Sequence, residues 1–144
     1  MRILLFSFLF CCCCLSGLKA QDHKADNPHE GFQTFEMPYG DSVIVMKQYF
    51  MVFLKAGPNR NQSEEEAAEL QKAHLAHLSK LAENKKTCIT GPFGDDGETR
   101  GIVIYNTPTK EEAEKLANED PAVKAGRLVV EVRPIWLAVG SKLF

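Results

Sequence analysis

Cysteine is scarce outside the first part of the chain, and this scarcity excludes a fold held by disulfides. Four of the five cysteines are consecutive, at residues 11–14, and only Cys88 follows them. A chain that keeps one cysteine can form no internal disulfide, even in an oxidising compartment. Because Cys88 alternates with polar Thr87 at the start of an apolar segment, we expect a small buried side chain rather than a reactive nucleophile.

The sequence also lacks an excess of positive charge and, after residue 20, any long apolar run. It contains 17 basic and 19 acidic residues, which give a formal net charge of −2, and its Lys and Arg residues are dispersed. A nucleic-acid-binding protein needs a basic patch, so that class of partner is excluded. The apolar run at residues 3–15 is shorter than the ~20 residues of a membrane-spanning helix. We therefore expect no membrane span.

The first 20 residues have the pattern of a secretory signal peptide. Arg2 precedes the apolar run, and Ala20 supplies a small residue at the cleavage point. Cysteines 11–14 suggest lipid attachment as an alternative, but the residues before them do not resemble a lipoprotein signal. We expect a secreted or periplasmic protein that is cleaved near Ala20.

The remainder divides into a polar extension, one domain and a short tail. Residues 21–46 are expected to be a tether or N-terminal extension, residues 47–137 the domain, and residues 138–144 a C-terminal tail. His23 and His29 lie in the extension beside acidic residues, but no rigid scaffold holds them, and no cofactor is expected. We predict no metal site there.

The domain shows four apolar segments and two amphipathic segments in the order β-α-β-β-α-β. Ser63 with Glu66, and Thr109 with Glu112, have the spacing of helix capping boxes. The predicted fold is α+β and ferredoxin-like, a four-stranded antiparallel sheet with two helices on one face. The strands are predicted at residues 49–54, 88–90, 102–105 and 128–132, and residues 122–126 are predicted to form a turn.

The second face of this sheet needs a cover. A solvated face would impose alternation of apolar and polar residues, and residues 49–54 and 102–105 show none. We predict a homodimer in which the sheets pack face to face. The N-terminal extension, folded over the sheet, is the competing cover.

A histidine in the apolar stripe of the first helix is the strongest functional signal. At ~100° per residue, His74 falls among the aliphatic residues, and His77 lies at the edge of the same stripe. His74 is either a site residue or a core histidine bonded to a structural partner. A metal site from these two histidines would need a further ligand, which no nearby residue clearly supplies.

Several short motifs together resemble the YCII-related (YciI-like) domain family. They are His74-Leu-Ala-x-Leu78, Gly91-Pro92, Thr109-x-Glu-Glu-Ala113, Asp120-Pro-x-Val-x-Ala-Gly126 and Val130-x-Val-x-Pro134. The resemblance implies a dimeric α+β barrel, similar to muconolactone isomerase. It also implies proton-transfer chemistry, because one family member removes chloride from a chlorinated hydroxyquinol.

The resemblance further implies that His74 and Asp120 are the catalytic pair. Many members have arginine three residues before the histidine, where this chain has Gln71. Glutamine can orient a substrate oxygen but cannot neutralise an anion. We expect a pocket floored by the sheet and rimmed by residues 92–100, with Gln71, Tyr49, Gly91 and Pro92 contacting a substrate.

Three functions remain open from the sequence. The first is a small-molecule lyase or isomerase, with His74 as general acid/base and Asp120 orienting its ring. The second is a dimer that binds a small ligand without chemistry. The third is a structural module of the cell envelope, in which the pair only joins two helices.

Overall fold

The computed structural model describes residues 29–143. The predicted signal peptide, its cleavage point at Ala20 and the first part of the extension, including His23, lie outside the described residues. No helix within residues 29–143 is long and apolar enough to cross a membrane.

The described chain forms one antiparallel sheet with helices packed against one of its faces. Strand β2 pairs with β4 on one edge and with β5 on the other, and β3 pairs with β4. This gives the order β5-β2-β4-β3, and the predicted α+β, ferredoxin-like fold is confirmed. The elements are β1 (Thr34–Tyr39), β2 (Ser42–Ala56), α1 (Glu64–Glu83), β3 (Thr87–Pro92), β4 (Thr99–Tyr105), α2 (Lys110–Asn118), α3 (Pro121–Lys124) and β5 (Leu128–Ala138).

Both long helices begin where their capping residues predict. The Ser63 hydroxyl accepts from the backbone N–H of Glu66 at 3.2 Å, and the Glu66 carboxylate accepts from the N–H of Ser63 at 2.8 Å. Thr109 caps α2 in the same way, accepting from the N–H of Glu112 at 3.2 Å. The carboxylate of Glu112 does not complete the second box, because Lys86 donates to it at 2.8 Å.

The core lies between the sheet and the helices. Alternate residues of β2 (Phe50, Val52 and Leu54) are buried in one cluster with residues of α1 and α2. Successive side chains of a strand point to opposite faces, so Tyr49, Met51 and Phe53 lie on the other face. These three are only half-buried, although they are apolar or aromatic. We call this second surface the open face.

The N-terminal extension lengthens the sheet. Strand β1 forms a hairpin with the first half of β2, turning at Gly40, whose φ is +57°. Met46 pairs with Phe35 of β1 and with Ala138 of β5, so β1 lies on the edge of β2 that β4 also uses. Strand β2 begins five residues before the predicted domain boundary at residue 47, which therefore falls inside it.

Three local predictions differ from the structure. Cys88 is exposed rather than buried, because β3 is an edge strand whose pairing shifts register between Thr87 and Ile89. The predicted turn at residues 122–126 overlaps the short helix α3, which begins at Pro121 and ends at Lys124, before Gly126 at φ +69°. Strand β5 continues past Pro134, because an edge strand tolerates a missing N–H.

Candidate active site

His74 lies in the middle of α1 and is 6% exposed. Its Nδ1 atom is 2.6 Å from Oδ2 of Asp120, which is 2% exposed. The two residues are 46 positions apart in sequence, and the packing of α1 against α3 brings them together. The structure thus contains a buried imidazole–carboxylate pair at the predicted positions.

Asp120 is held by a second hydrogen bond. It is the N-cap of α3, and its Oδ1 atom accepts from the backbone N–H of Ala122 at 2.8 Å. Pro121 occupies the first turn of the helix, where its fixed φ suits a helical start. The Asp-Pro sequence therefore orients the carboxylate, since one oxygen caps the helix and the other faces His74.

The hydrogen bond to Asp120 determines which nitrogen of His74 can meet another molecule. In a neutral imidazole one nitrogen donates and the other accepts. An ionised carboxylate can only accept a hydrogen bond, so this contact assigns the donor role to Nδ1 and leaves the lone pair of the neutral ring on Nε2. The ring is therefore prepared to accept a proton at Nε2 and to return it.

His74 lines a cavity of about 330 Å³ between α1 and the hairpin of β3 and β4. This volume is at the lower end of the ~300–1,000 Å³ of small-molecule sites. Most of the wall is apolar, and Asp120 lies behind the histidine. The lining residues are Leu54, Gln71, His74, Leu75, Leu78, Thr90, Gly91, Pro92, Arg100, Gly101, Ile102 and Leu128.

Residues 49–137 match the family model of the YCII-related domain. The chain belongs to the YCII-related domain family. A comparison with curated proteins gives no match. Among solved structures, the chain is similar to 5-chloro-2-hydroxyhydroquinone dehydrochlorinase from Burkholderia phenoliruptrix AC1100 in complex with 2,5-dihydroxybenzoquinone, with 25% identity and a TM-score of 0.46 over 59% of this chain and 90% of that chain.

Three of the four predicted substrate contacts line the cavity of this YCII-related domain. Gln71 lies on α1 one turn before His74, and Gly91 and Pro92 end β3. The prediction for Tyr49 is wrong, because its position in β2 places it on the open face, where the Lys47 ammonium lies 4.9 Å from its ring. A contact between Tyr49 and a molecule in this cavity is excluded by the sheet itself.

Arg100 and Thr90 also line the cavity. Arg100 falls within the predicted rim of residues 92–100, but the sequence did not single it out, and it did not indicate Thr90. The register between β2 and β4 shifts between Leu54 and Lys55, which pair with Gly101 and Thr99. Arg100 is therefore the extra residue of a β-bulge. Regular alternation would place it on the open face, whereas a bulge re-aims the side chain. No sequence signal marks such a bulge.

Tyr105 packs in the core near the pair. It is 2% exposed, and burial together with the charge of Asp120 raises the pKa of its phenol. A phenol in this environment keeps its proton and acts as a core residue rather than as a base.

His77, which the sequence places at the edge of the apolar stripe, has a structural role. Its Nε2 atom donates to the carbonyl of Leu116 at 3.0 Å and so joins α1 to α2. It lines a separate, more open hollow of about 360 Å³. Within residues 29–143, no group of three or more His, Cys, Asp or Glu side chains could hold a metal ion.

Proposed function

We propose that this YCII-related domain is a small-molecule lyase or isomerase in which His74 is the general acid/base and Asp120 positions it. One observation carries the proposal: a buried carboxylate lies 2.6 Å from a histidine that lines a cavity of small-molecule size. Fixed orientation of an imidazole by a carboxylate is the arrangement that general acid–base catalysis uses.

The proposed reaction begins with proton transfer to Nε2 of His74. The ring removes a proton from a carbon beside a carbonyl, and the electron pair of the C–H bond moves to the carbonyl oxygen as an enolate. Asp120 stabilises the imidazolium that forms. The enolate then either expels a leaving group from the adjacent carbon, which is elimination, or takes the proton back at another carbon, which is isomerisation.

Hydrogen–deuterium exchange tests the proton transfer without knowledge of the natural substrate. A suitable probe is 2,5-dihydroxybenzoquinone, a planar enol whose ring C–H exchanges with solvent, followed by proton NMR in D₂O. We expect the protein to accelerate exchange. The exchange rate with His74→Gln should be lower than that with the unmodified protein by ~10²-fold or more. Asp120→Asn should weaken the acceleration, and His77→Gln should leave it unchanged. Acceleration that survives in His74→Gln would contradict the proposal.

A purely structural role has one observation in its favour, because Asp120 also caps α3. That role predicts that His74→Gln lowers the free energy of unfolding by about 1–3 kcal/mol, for the lost buried hydrogen bond, and that the protein never accelerates exchange. A non-catalytic binding role predicts altered affinity for the probe without exchange. The two measurements on one variant separate the three functions.

We further propose that the domain acts as a homodimer through its open face. Met51 and Phe53 are half-buried in the single chain, and Val129 at the same face is 41% exposed. Burial of apolar surface of this kind stabilises association, and an isologous contact needs only one self-complementary face. The competing cover, the N-terminal extension, meets this face where the ring of Phe32 lies 3.7 Å from the Lys47 ammonium.

We also propose secretion or periplasmic localisation after cleavage near Ala20. The support is the charged residue, apolar run and small residue of the first 20 positions. Mass spectrometry of the protein expressed from its full sequence should give a chain that begins at Gln21. An intact N-terminus or a lipid-modified cysteine would contradict this proposal.

A further inference from the structure

The cavity has an electrostatic bias that the catalytic pair does not explain. Among its lining residues Arg100 is the one permanent cation, and no carboxylate is present in the lining. Gln71 and Thr90 add neutral polar groups, and Asp120 lies behind His74. A permanent cation at the border of a mostly apolar cavity whose lining holds no carboxylate favours an anion over a neutral ligand.

The guanidinium of Arg100 is only loosely held by its own loop. Nη1 donates to the carbonyl of Gly97 at 3.2 Å, and Nη2 lies 3.6 Å from a carboxylate oxygen of Asp96. The side chain of Asp96 is fully exposed and that of Arg100 is 37% exposed. An exposed ion pair at this distance is weak, so a bound anion can replace it.

The position of Arg100 complements that of His74. The arginine belongs to the bulge of β4, whereas His74 and Gln71 lie on α1, so the charged and proton-transferring groups come from different elements that line one cavity. A planar guanidinium can bind two oxygens of a carboxylate, or the oxygens of a phenolate or enolate, through several N–H groups.

We infer that Arg100 selects anionic substrates, so that the cavity takes small acids, phenolates or enolates. The inference rests on the proposed function, of which it specifies the substrate class. Arg100 contacts the anionic oxygen, while the carbon acid faces His74. In this chain the cation for that oxygen comes from β4, and Gln71 on α1 serves as a neutral hydrogen-bonding group.

Calorimetric titration with two probes of the same ring size tests this inference. At about pH 7.5, 2,5-dihydroxybenzoquinone is an anion, whereas hydroquinone is neutral. We expect the protein to bind the anion more tightly. Arg100→Gln should weaken binding of the anion at least tenfold and change binding of the neutral probe less than twofold. Arg100→Lys should bind the anion with intermediate affinity, and Asp96→Asn should not weaken binding of the anion.

Lys115→Gln is the matched control, because it removes the same charge from an exposed position on α2. It should leave both affinities within twofold. The same titrations in the His74→Gln background should show the same effect of Arg100→Gln, because binding needs no proton transfer. If the exchange assay contradicts the proposed catalytic role of His74, the titrations therefore still test whether Arg100 binds an anion.

Several outcomes would overturn the inference. In the first, the unmodified protein binds the two probes with equal affinity. In the second, Arg100→Gln weakens binding of both probes. In the third, Arg100→Gln and the control Lys115→Gln weaken binding of the anion to the same extent. Failure of the unmodified protein to bind either probe at millimolar concentration would also count against it.

Discussion

Burial of single polar residues determines how this domain responds to pH. Burial, and then the charge of Asp120, raise the pKa of Tyr105. The folded protein therefore keeps the phenolic proton at a pH where the unfolded chain has released it. Stability is fully present below the ordinary tyrosine pKa of ~10 and falls as the pH rises above it, because the unfolded state then binds fewer protons.

Tyr105→Phe should reduce this alkaline loss of stability. At pH 7 the free energy of unfolding should change by less than about 1 kcal/mol, since only a hydroxyl is removed. Above pH 10 the variant should unfold at a higher urea concentration than the unmodified protein. Burial also raises the pKa of Tyr49, so part of the loss remains. Parallel urea midpoints for the two proteins from pH 7 to pH 11 would contradict the prediction.

At the scale of residues, the sequence predicts one side of the site better than the other. His74 is visible because a helical period places an imidazole among leucines, and Asp120 because Asp-Pro begins a turn or helix. Arg100 falls within the predicted rim of residues 92–100, but its place at the cavity depends on a β-bulge in β4 that no local pattern marks. Tyr49 was assigned to the wrong side of the sheet, because an apolar run without alternation does not show which face a residue occupies.

The first helix is the element that carries His74 and Gln71 to the cavity. Its start depends on the capping box of Ser63 and Glu66, with three glutamates in its first turn that suit the positive end of the helix dipole. Only His74 and Leu81 of its 20 residues are buried, and the capping box adds hydrogen bonds to N–H groups that the helix itself leaves without a partner.

Ser63→Ala should lower the free energy of unfolding by about 1 kcal/mol, through the loss of the hydrogen bond to the N–H of Glu66. Chemical denaturation followed by circular dichroism measures this change. Ser79→Ala is the matched control, because Ser79 is exposed within the same helix and should give no loss. Equal effects of the two substitutions would show that the cap does not stabilise the helix.

The ends of elements were predicted less well than their presence. Strand β2 is 15 residues long and β5 is 11, whereas the predicted segments were 49–54 and 128–132. Both extensions arise from pairing, since the first half of β2 pairs with β1 and the end of β5 pairs with β2 near Met46. Such pairing depends on distant residues and leaves no local pattern.

At the scale of the molecule, the single chain does not explain why apolar residues of the open face are left partly exposed. Lys55, Glu131 and Arg133 form an ion-pair cluster on it, and apolar residues surround this cluster. The same face carries Lys47, whose ammonium lies 3.7 Å from the ring of Phe32 and donates to Asn106 at 2.7 Å. Because these groups are already paired within one chain, a second copy that covers them leaves no hydrogen-bonding group without a partner, and the cost is the loss of solvent around the charges.

Size-exclusion chromatography with light scattering should give the mass of a dimer. Val129→Glu should shift it to a monomer, because the new carboxylate is exposed in the single chain and would lose its solvent in the interface, where the opposite residue Lys55 is already paired with Glu131. Ala68→Glu is the control, since Ala68 is exposed on α1, and it should remain dimeric. A monomer for the unmodified protein, or a dimer that tolerates Val129→Glu, would contradict the prediction.

The most direct test of the central claim is the tautomer of His74, measured by NMR on protein labelled with ¹⁵N-histidine at about pH 8. We predict that His74 carries its proton on Nδ1, and that its Nε2 resonance moves when 2,5-dihydroxybenzoquinone is added. His77 is an internal control: its bond to Leu116 requires the proton on Nε2, and its resonances should not move. A proton on Nε2 of His74, or a ring that does not respond to the probe, would contradict the account.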